Sequence, residues 1–182
     1  SLRRLRNIIG GGLDKAIADY STAISLDPGI SYLYVNRASS YLQLGEHEKA
    51  LEDSSQAIDL DPGNAMAFTS RGSPYGELGE LEKAIGNLSQ AIELNSDYAL
   101  AYHSRGLTYL NLGEHEKAVA DYSHAVEIDP KDVWAFYNRG QGYEKLGGYE
   151  KAKEDYLMVI ELTDDPGLLK DAQDALDDLE TG

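Results

Sequence analysis

A chain of 182 residues with no cysteine and a formal net charge of −16 cannot form disulfides or thiolate metal sites. It is also a poor partner for nucleic acid, where binding rests on neutralising phosphates with Lys and Arg. No run approaches the roughly 18 apolar residues of a membrane span, and Ser1-Leu2-Arg3-Arg4-Leu5-Arg6 lacks the apolar region of a secretory signal. The missing initiator Met leads us to expect a processed chain or a fragment, with the cytoplasm as the expected compartment.

Taken in order, Leu2, Leu5, Ile8 and Ile9 could form one face of a short first helix. Gly10-Gly11-Gly12 is expected to end it, because three glycines cost too much conformational entropy. Residues 1–12 then read as a degenerate helix, with a basic membrane-touching segment as the alternative. Residues 13–26, LDKAIADYSTAISL, are regular and helical.

From Ser31 a pattern sets in that repeats every 34 residues. Gly45, Gly79, Gly113 and Gly147 keep that step, as do Ala50, Ala84, Ala118 and Ala152, and Arg37, Arg71, Arg105 and Arg139. Tyr34, Phe68, Tyr102 and Phe136 form a matching aromatic series, and Tyr41, Tyr75, Tyr109 and Tyr143 a second. A fixed period of this length is the mark of a repeat array, and it outranks any local reading. Each repeat is expected to be two antiparallel helices. Asp27-Pro28, Asp61-Pro62 and Asp129-Pro130 mark the joins, with Asp expected to cap the next helix. The glycines after Leu44, Leu78, Leu112 and Leu146 suit a left-handed residue past a helix end. Glu46, Glu48, Glu80, Glu82, Glu114 and Glu116 fall where a helix dipole favours acids. Gly72, Gly106 and Gly140, and the repeated alanines, would let two backbones approach.

After Leu162 the period fails. Thr163-Asp164-Asp165-Pro166 is a helix start, and Leu168, Leu169, Ala172, Ala175, Leu176 and Leu179 recur at helical spacing. Residues 165–182 are expected to cap the open end of the array. Residues 161–182 hold eight acids and one base; we read this run as a solvated face. Head-to-tail contact with Arg3, Arg4 and Arg6 is the alternative.

The pattern resembles the tetratricopeptide repeat (TPR) family, whose signature is Trp-x2-Leu-Gly-x2-Tyr, Ala-x3-Phe and Pro over 34 residues. The Trp slot holds Tyr34, Phe68, Tyr102 and Phe136, and the Tyr slot is kept four times. Ala118 to Tyr122 and Ala152 to Tyr156 keep the Ala-x3-aromatic step, whereas Ala50 leads to Ser54 and Ala84 to Leu88. Pro28, Pro62 and Pro130 fill the closing slot; Ser96 and Asp164 depart from it. The resemblance implies an all-α fold: an α-solenoid, a right-handed superhelix of antiparallel helix pairs with a C-terminal capping helix. It implies one TPR domain over residues 1–182, made of a partial repeat at 1–30, repeats at 31–64, 65–98, 99–132 and 133–164, and the cap at 165–182.

Catalytic signatures are missing from the sequence. His47 and His115 share a repeat slot, and His115 and His124 are nine apart without an HExxH pattern. No Gly-x-Ser-x-Gly or phosphate-binding loop occurs. The expectation is a non-enzyme with no cofactor and no metal.

In the family, the second, fifth, sixth and ninth slots of each first helix face a peptide in a concave groove. Those slots hold Tyr32, Val35, Asn36 and Ser39; Met66, Thr69, Ser70 and Ser73; Leu100, His103, Ser104 and Leu107; and Trp134, Tyr137, Asn138 and Gln141. The expected binding residues are Tyr32, Val35, Asn36, Met66, Ser70, Leu100, His103, Ser104, Trp134, Tyr137, Asn138 and Gln141. The second slot is apolar four times, and an aligned apolar stripe suggests a contact surface. The expected function is a scaffold or adaptor holding a protein or peptide segment, with basic residues beside apolar anchors. A structural, oligomerising scaffold is the alternative; the chain would be a monomer or a weak homo-oligomer. The carboxylate clamp that some members use for chaperone tails is disfavoured, since its slots hold Val35, Ser39, Ser70, Leu100 and Ser104.

Two further expectations concern structure. Arg37, Arg71, Arg105 and Arg139 should bond the co-repeating Asp53, Asn87, Asp121 and Asp155, because burying Arg without a partner is costly. Pro74, inside a first helix, should break a hydrogen bond or kink the chain near Ser70.

Overall fold

The computed structural model describes residues 2–181, with side chains from 11 to 180. Ten α-helices and no strand occur among the described residues. The chain divides into two compact units, residues 1–96 and 97–182.

The first unit holds α1 (Leu2–Leu26), α2 (Ser31–Gln43), α3 (His47–Leu60), α4 (Ala65–Glu77) and α5 (Leu81–Leu94). Helices α2 and α3 pack as one antiparallel pair and α4 and α5 as another; α1 lies on α2, and α4 packs on both α2 and α3. Contrary to expectation, α1 runs unbroken through Gly10-Gly11-Gly12. Each glycine lowers helix propensity by about 1 kcal/mol, yet each keeps its N–H, so the bonding ladder continues where a proline would stop it. The apolar series Leu2, Leu5, Ile8 and Ile9 and the basic Arg3, Arg4 and Arg6 have side chains outside the described residues.

The second unit holds α6 (Ala99–Leu112), α7 (His115–Ile128), α8 (Val133–Lys145), α9 (Tyr149–Leu162) and α10 (Pro166–Thr181). Helices α6 and α7 pair, α8 and α9 pair, α8 packs on α7, and α10 packs on α9. The core joins Ala118, Tyr122, Ala125 and Val126 of α7 to Ala135 and Phe136 of α8, Val159 of α9, and Leu168 and Ala172 of α10. Helix α10 is the expected cap: Asp165 Oδ1 accepts from the Leu168 N–H at 2.8 Å, and its face bearing Asp171, Asp174, Asp177 and Asp178 is exposed.

Each turn within a pair uses the expected glycine. Gly45, Gly79, Gly113 and Gly147 have φ of 77°, 76°, 75° and 74°, a left-handed backbone that costs other residues about 1–2 kcal/mol. The joins between pairs differ from expectation. Asp27, Asp61 and Asp129 do not cap the next helix; each Oδ1 accepts from the N–H two residues on, at Gly29, Gly63 and Lys131. The turn tightened this way leaves capping to Asn64 of α4 and Asp132 of α8.

Within pairs, helix spacing is set by size complementarity. A Cβ on Gly72 would lie 2.7 Å from Leu88, one on Gly106 3.1 Å from the Tyr122 ring, and one on Gly140 2.7 Å from Tyr156. In the first full repeat Ala38 and Ser54 occupy the same slots, both fully or nearly buried. The departure of Ser54 from the aromatic slot thus tracks the methyl of Ala38 opposite it, whereas Leu88 stands opposite a glycine as the two tyrosines do. Helix α4 continues through Pro74, which is fully buried; the Ser70 carbonyl loses its helical donor, because Pro has no N–H.

Candidate functional site

The repeated arginines settle first which groups are structural. Arg37 Nε and Nη2 donate to the two oxygens of Asp53 at 2.7 Å each. Arg105 grips Asp121 the same way at 2.8 Å, and Arg139 grips Asp155 at 2.8 and 2.6 Å. Arg71 Nε donates to Asn87 Oδ1 at 2.7 Å. Three of the guanidiniums also lie over two aromatic rings, Arg37 over Tyr34 and Tyr41, Arg105 over Tyr102 and Tyr109, and Arg139 over Phe136 and Tyr143, and Arg71 lies over Phe68, at 5.3 to 5.9 Å from the centroids. The hydrogen bonding donated to Asp53 comes first among the causes that hold the Arg37 guanidinium above its ordinary range, and the same holds for Arg105 with Asp121. The ladder lies between the two helices of each pair, so its cations are engaged internally.

In the first unit, Tyr32 and Met66 stand 56% and 41% exposed on α2 and α4, a large fraction for apolar side chains in the middle of a repeat pattern. Val35, expected to face a ligand, is instead 6% exposed and packs with Tyr34, Ala57 and Ala67. Its side chain packs toward Ala67 of the neighbouring first helix, α4; Thr69 in the same slot is also buried. Asn36 and Ser70 are half-buried. The Asn36 Nδ2 is buried without a hydrogen-bond partner, a donor whose burial costs about 1–3 kcal/mol; it would have to rotate to meet a ligand.

In the second unit, Leu100 on α6 and Trp134 on α8 are 53% and 52% exposed. Tyr137, one turn after Trp134, is half-buried, and the two rings meet edge to face with centroids 6.2 Å apart. His103 is held inward: its Nδ1 is 2.8 Å from Asp132 Oδ2, and its ring meets Tyr122 edge-on at 5.5 Å. Burial alone would raise the Asp132 carboxyl, but the hydrogen bond from His103 and those from the Ala135 and Trp134 N–H groups outweigh it and hold it below the ordinary range. Ser104, Asn138 and Gln141 are half-buried. A cavity of about 310 Å³ opens between α6 and α8, with Leu107 and Leu110 on one wall and Asn138, Gln141 and Glu144 on the other. Glu144 is not among the residues expected from the sequence, although it follows Gln141 by three residues and Tyr137 by seven, on one helical face.

Among the described residues, no group of His, Asp and Glu could hold a metal, and no helix is long and apolar enough to cross a membrane. The arrangement offers apolar area, carboxamides and carboxylates rather than a nucleophile with its base.

A family model described as "TPR repeat" matches residues 72–113 and 109–147, and one described as "Tetratricopeptide repeat" matches residues 31–64 and 135–166. No curated protein matches the chain by sequence. Among solved structures it is similar to MamA, at 31% identity over 83% of this chain and 88% of that chain, with a TM-score of 0.70. TTC0263, a thermophilic TPR protein of Thermus thermophilus, shares the fold with a TM-score of 0.81 at 24% identity, over 95% of this chain and 94% of that chain. The first TPR of Spaghetti (RPAP3), bound to the HSP90 peptide SRMEEVD, superposes with a TM-score of 0.61 at 26% identity, over 64% of this chain and 93% of that chain. With its 34-residue period and the ten helices of its described residues, the chain belongs to the tetratricopeptide repeat family, an α-solenoid fold that serves as a protein–protein interaction module.

Proposed function

We propose that the chain is a scaffold or adaptor that holds an extended or helical segment of a partner protein along the exposed faces of its first helices. The observation that carries this reading is the second slot, where Tyr32, Met66, Leu100 and Trp134 are all 41–56% exposed. Apolar residues repeated at one position and left in solvent mark a contact surface, and aromatic anchors dominate most interface energies. In the second unit the segment would run along α8, with Leu100, Trp134 and Tyr137 supplying buried area. Asn138 and Gln141 would bond the segment's backbone, since a carboxamide both donates and accepts; Ser104 would be a lesser polar contact. Tyr32, Met66, Asn36 and Ser70 would do the same in the first unit.

Charge argues about the partner's chemistry. Residues 97–182 carry nineteen acids against eight bases, and two of those bases, Arg105 and Arg139, are locked in the ladder. An acidic tail such as the peptide held by the Spaghetti structure would be repelled here, whereas a segment with Lys or Arg beside apolar anchors would be drawn in. The test is a partner captured by affinity purification and footprinted by crosslinking. Trp134→Ala and Asn138→Ala should each weaken its binding by more than about 1 kcal/mol without unfolding the chain. A footprint confined to α3, α5, α7 and α9, with both variants binding normally, sinks the proposal.

A further inference from the structure

The proposed binding face is not uniform along the chain, and its last repeat is unlike the rest. The second and fifth slots pair Tyr32 with buried Val35, Met66 with buried Thr69, and Leu100 with His103. Only Trp134 and Tyr137 put two aromatic rings together, near perpendicular at 87°, so that they form a corner whose indole stands half in solvent. The corner is braced from behind by one residue. Tyr156, 1% exposed, packs against the Tyr137 ring, tilted by 52° with centroids 5.7 Å apart, and donates its hydroxyl to Glu144 Oε1 at 2.6 Å. A single buried side chain thus fixes both an aromatic face and a carboxylate beside it.

The charges around this corner are unbalanced. The buried carboxylates of the unit, Asp121 and Asp155, each have an arginine, and Asp132 has His103. Glu144 and Asp171 have no ion pair among the described residues. Burial first, then the field of Asp171, pushes the Tyr137 hydroxyl up against a hydrogen bond with Gln141 that lowers it, with the field of Glu144 adding a lesser upward push. Lys145, also on the cavity wall, is exposed and forms no ion pair with either.

We propose that Trp134 and Tyr137, with Glu144 held beside them through Tyr156, receive a cationic side chain, Lys or Arg, from the partner segment. This deepens the function proposed above and rests on it. An aromatic face attracts a cation through its quadrupole, and a carboxylate held at the rim adds charge-assisted hydrogen bonding. The neighbouring cavity wall of Leu107 and Leu110 suits an aliphatic residue next to that cation. The site therefore reads a basic residue beside an aliphatic one.

Titration of the isotope-labelled full chain, followed by NMR, tests this with four defined probes: the N-acetyl methylamides of arginine, lysine, citrulline and leucine. The arginine and lysine probes should shift the Trp134 indole resonance. Citrulline, the neutral counterpart of arginine, should bind more weakly by about fivefold or more, the scale of one lost cation–π contact. Glu144→Gln should weaken the cationic probes and leave leucine unaffected, and Asp171→Asn, at an exposed position that cannot unfold the core, should do so in smaller measure. Citrulline binding as well as arginine, or both variants binding the cations normally, overturns the inference. If leucine shifts the Leu107 and Leu110 resonances while the cations shift nothing, the cation site fails and the apolar face stands. The cations binding without leucine would spare the site but count against the wider reading. Silence from all four probes overturns both.

Discussion

Asp121 is nearly out of water and takes two hydrogen bonds from Arg105, so removing the carboxylate leaves a guanidinium in a site built for a pair. Breaking such a pair costs about 3–5 kcal/mol; Asp121→Ala should lose about that much stability in urea unfolding. Asp121→Asn should lose less, because Asn87 shows that a carboxamide can still accept from the Arg Nε. The converse change, Asn87→Asp, is expected to stabilise by adding a second, charged bond to Arg71. Gly140→Ala should also destabilise, by about 1–3 kcal/mol, because its new methyl would sit 2.7 Å from the Tyr156 ring, which is itself fixed between Tyr137 and Glu144. The Arg ladder is legible in the sequence because both partners repeat at one period, and co-repetition implies contact. Val35 is not: its slot follows from the family groove, and nothing in an isolated Val shows that it turns toward the neighbouring helix.

At the scale of elements, punctuation is legible wherever a single backbone requirement decides it. Four glycines at φ of 74–77° end the first helices of the four full repeats, a conformation that glycine alone adopts cheaply. Asp-Pro is harder to interpret, since an aspartate can bond an N–H two residues on or cap a helix, and only the length of the join chooses between them. The triple glycine of α1 fails as a stop signal because propensity is a cost and not a barrier. Pro74 is the opposite case. A proline inside a helix costs about 3 kcal/mol, while trimming it to Ala removes two buried methylenes worth about 0.8 kcal/mol each. The helix term wins, so Pro74→Ala should raise stability by about 1 kcal/mol. For a chain of this size that is a rise of about 2–4 °C in melting temperature; an unchanged or lower value in a calorimetric scan would show that the cavity matters more. The slot's other occupants, Ser40, Thr108 and Gly142, keep their N–H groups, which makes Pro74→Thr the variant least disturbing to packing.

The molecule as a whole carries a net charge of −16, and self-repulsion on that scale works against the compact state. Added salt should therefore raise the melting temperature at pH 7, because screening shortens the range of that repulsion. Acidification should first act in the same direction, as exposed carboxylates begin to protonate and the net charge falls. The benefit should reverse where Asp132 titrates. Its folded-state pKa is lowered from 3.8 by His103 and two backbone N–H groups, which outweigh burial. A depressed carboxylate binds protons less readily when folded than when unfolded, so its contribution to stability is fully present above the unfolded value. It is lost as pH falls from about 3.8 through the lower folded value. Stability should thus pass through a maximum on the acid side of neutrality and fall below pH of about 3.8. Asp132→Asn isolates the group: its deficit relative to the parent should shrink as pH falls below about 3.8 and Asp132 in the parent becomes protonated. Urea unfolding at a series of pH values measures that difference directly. A deficit that stays flat down to pH of about 2 would mean that Asp132 stabilises α8 as a cap alone, with no help from its charge or from His103.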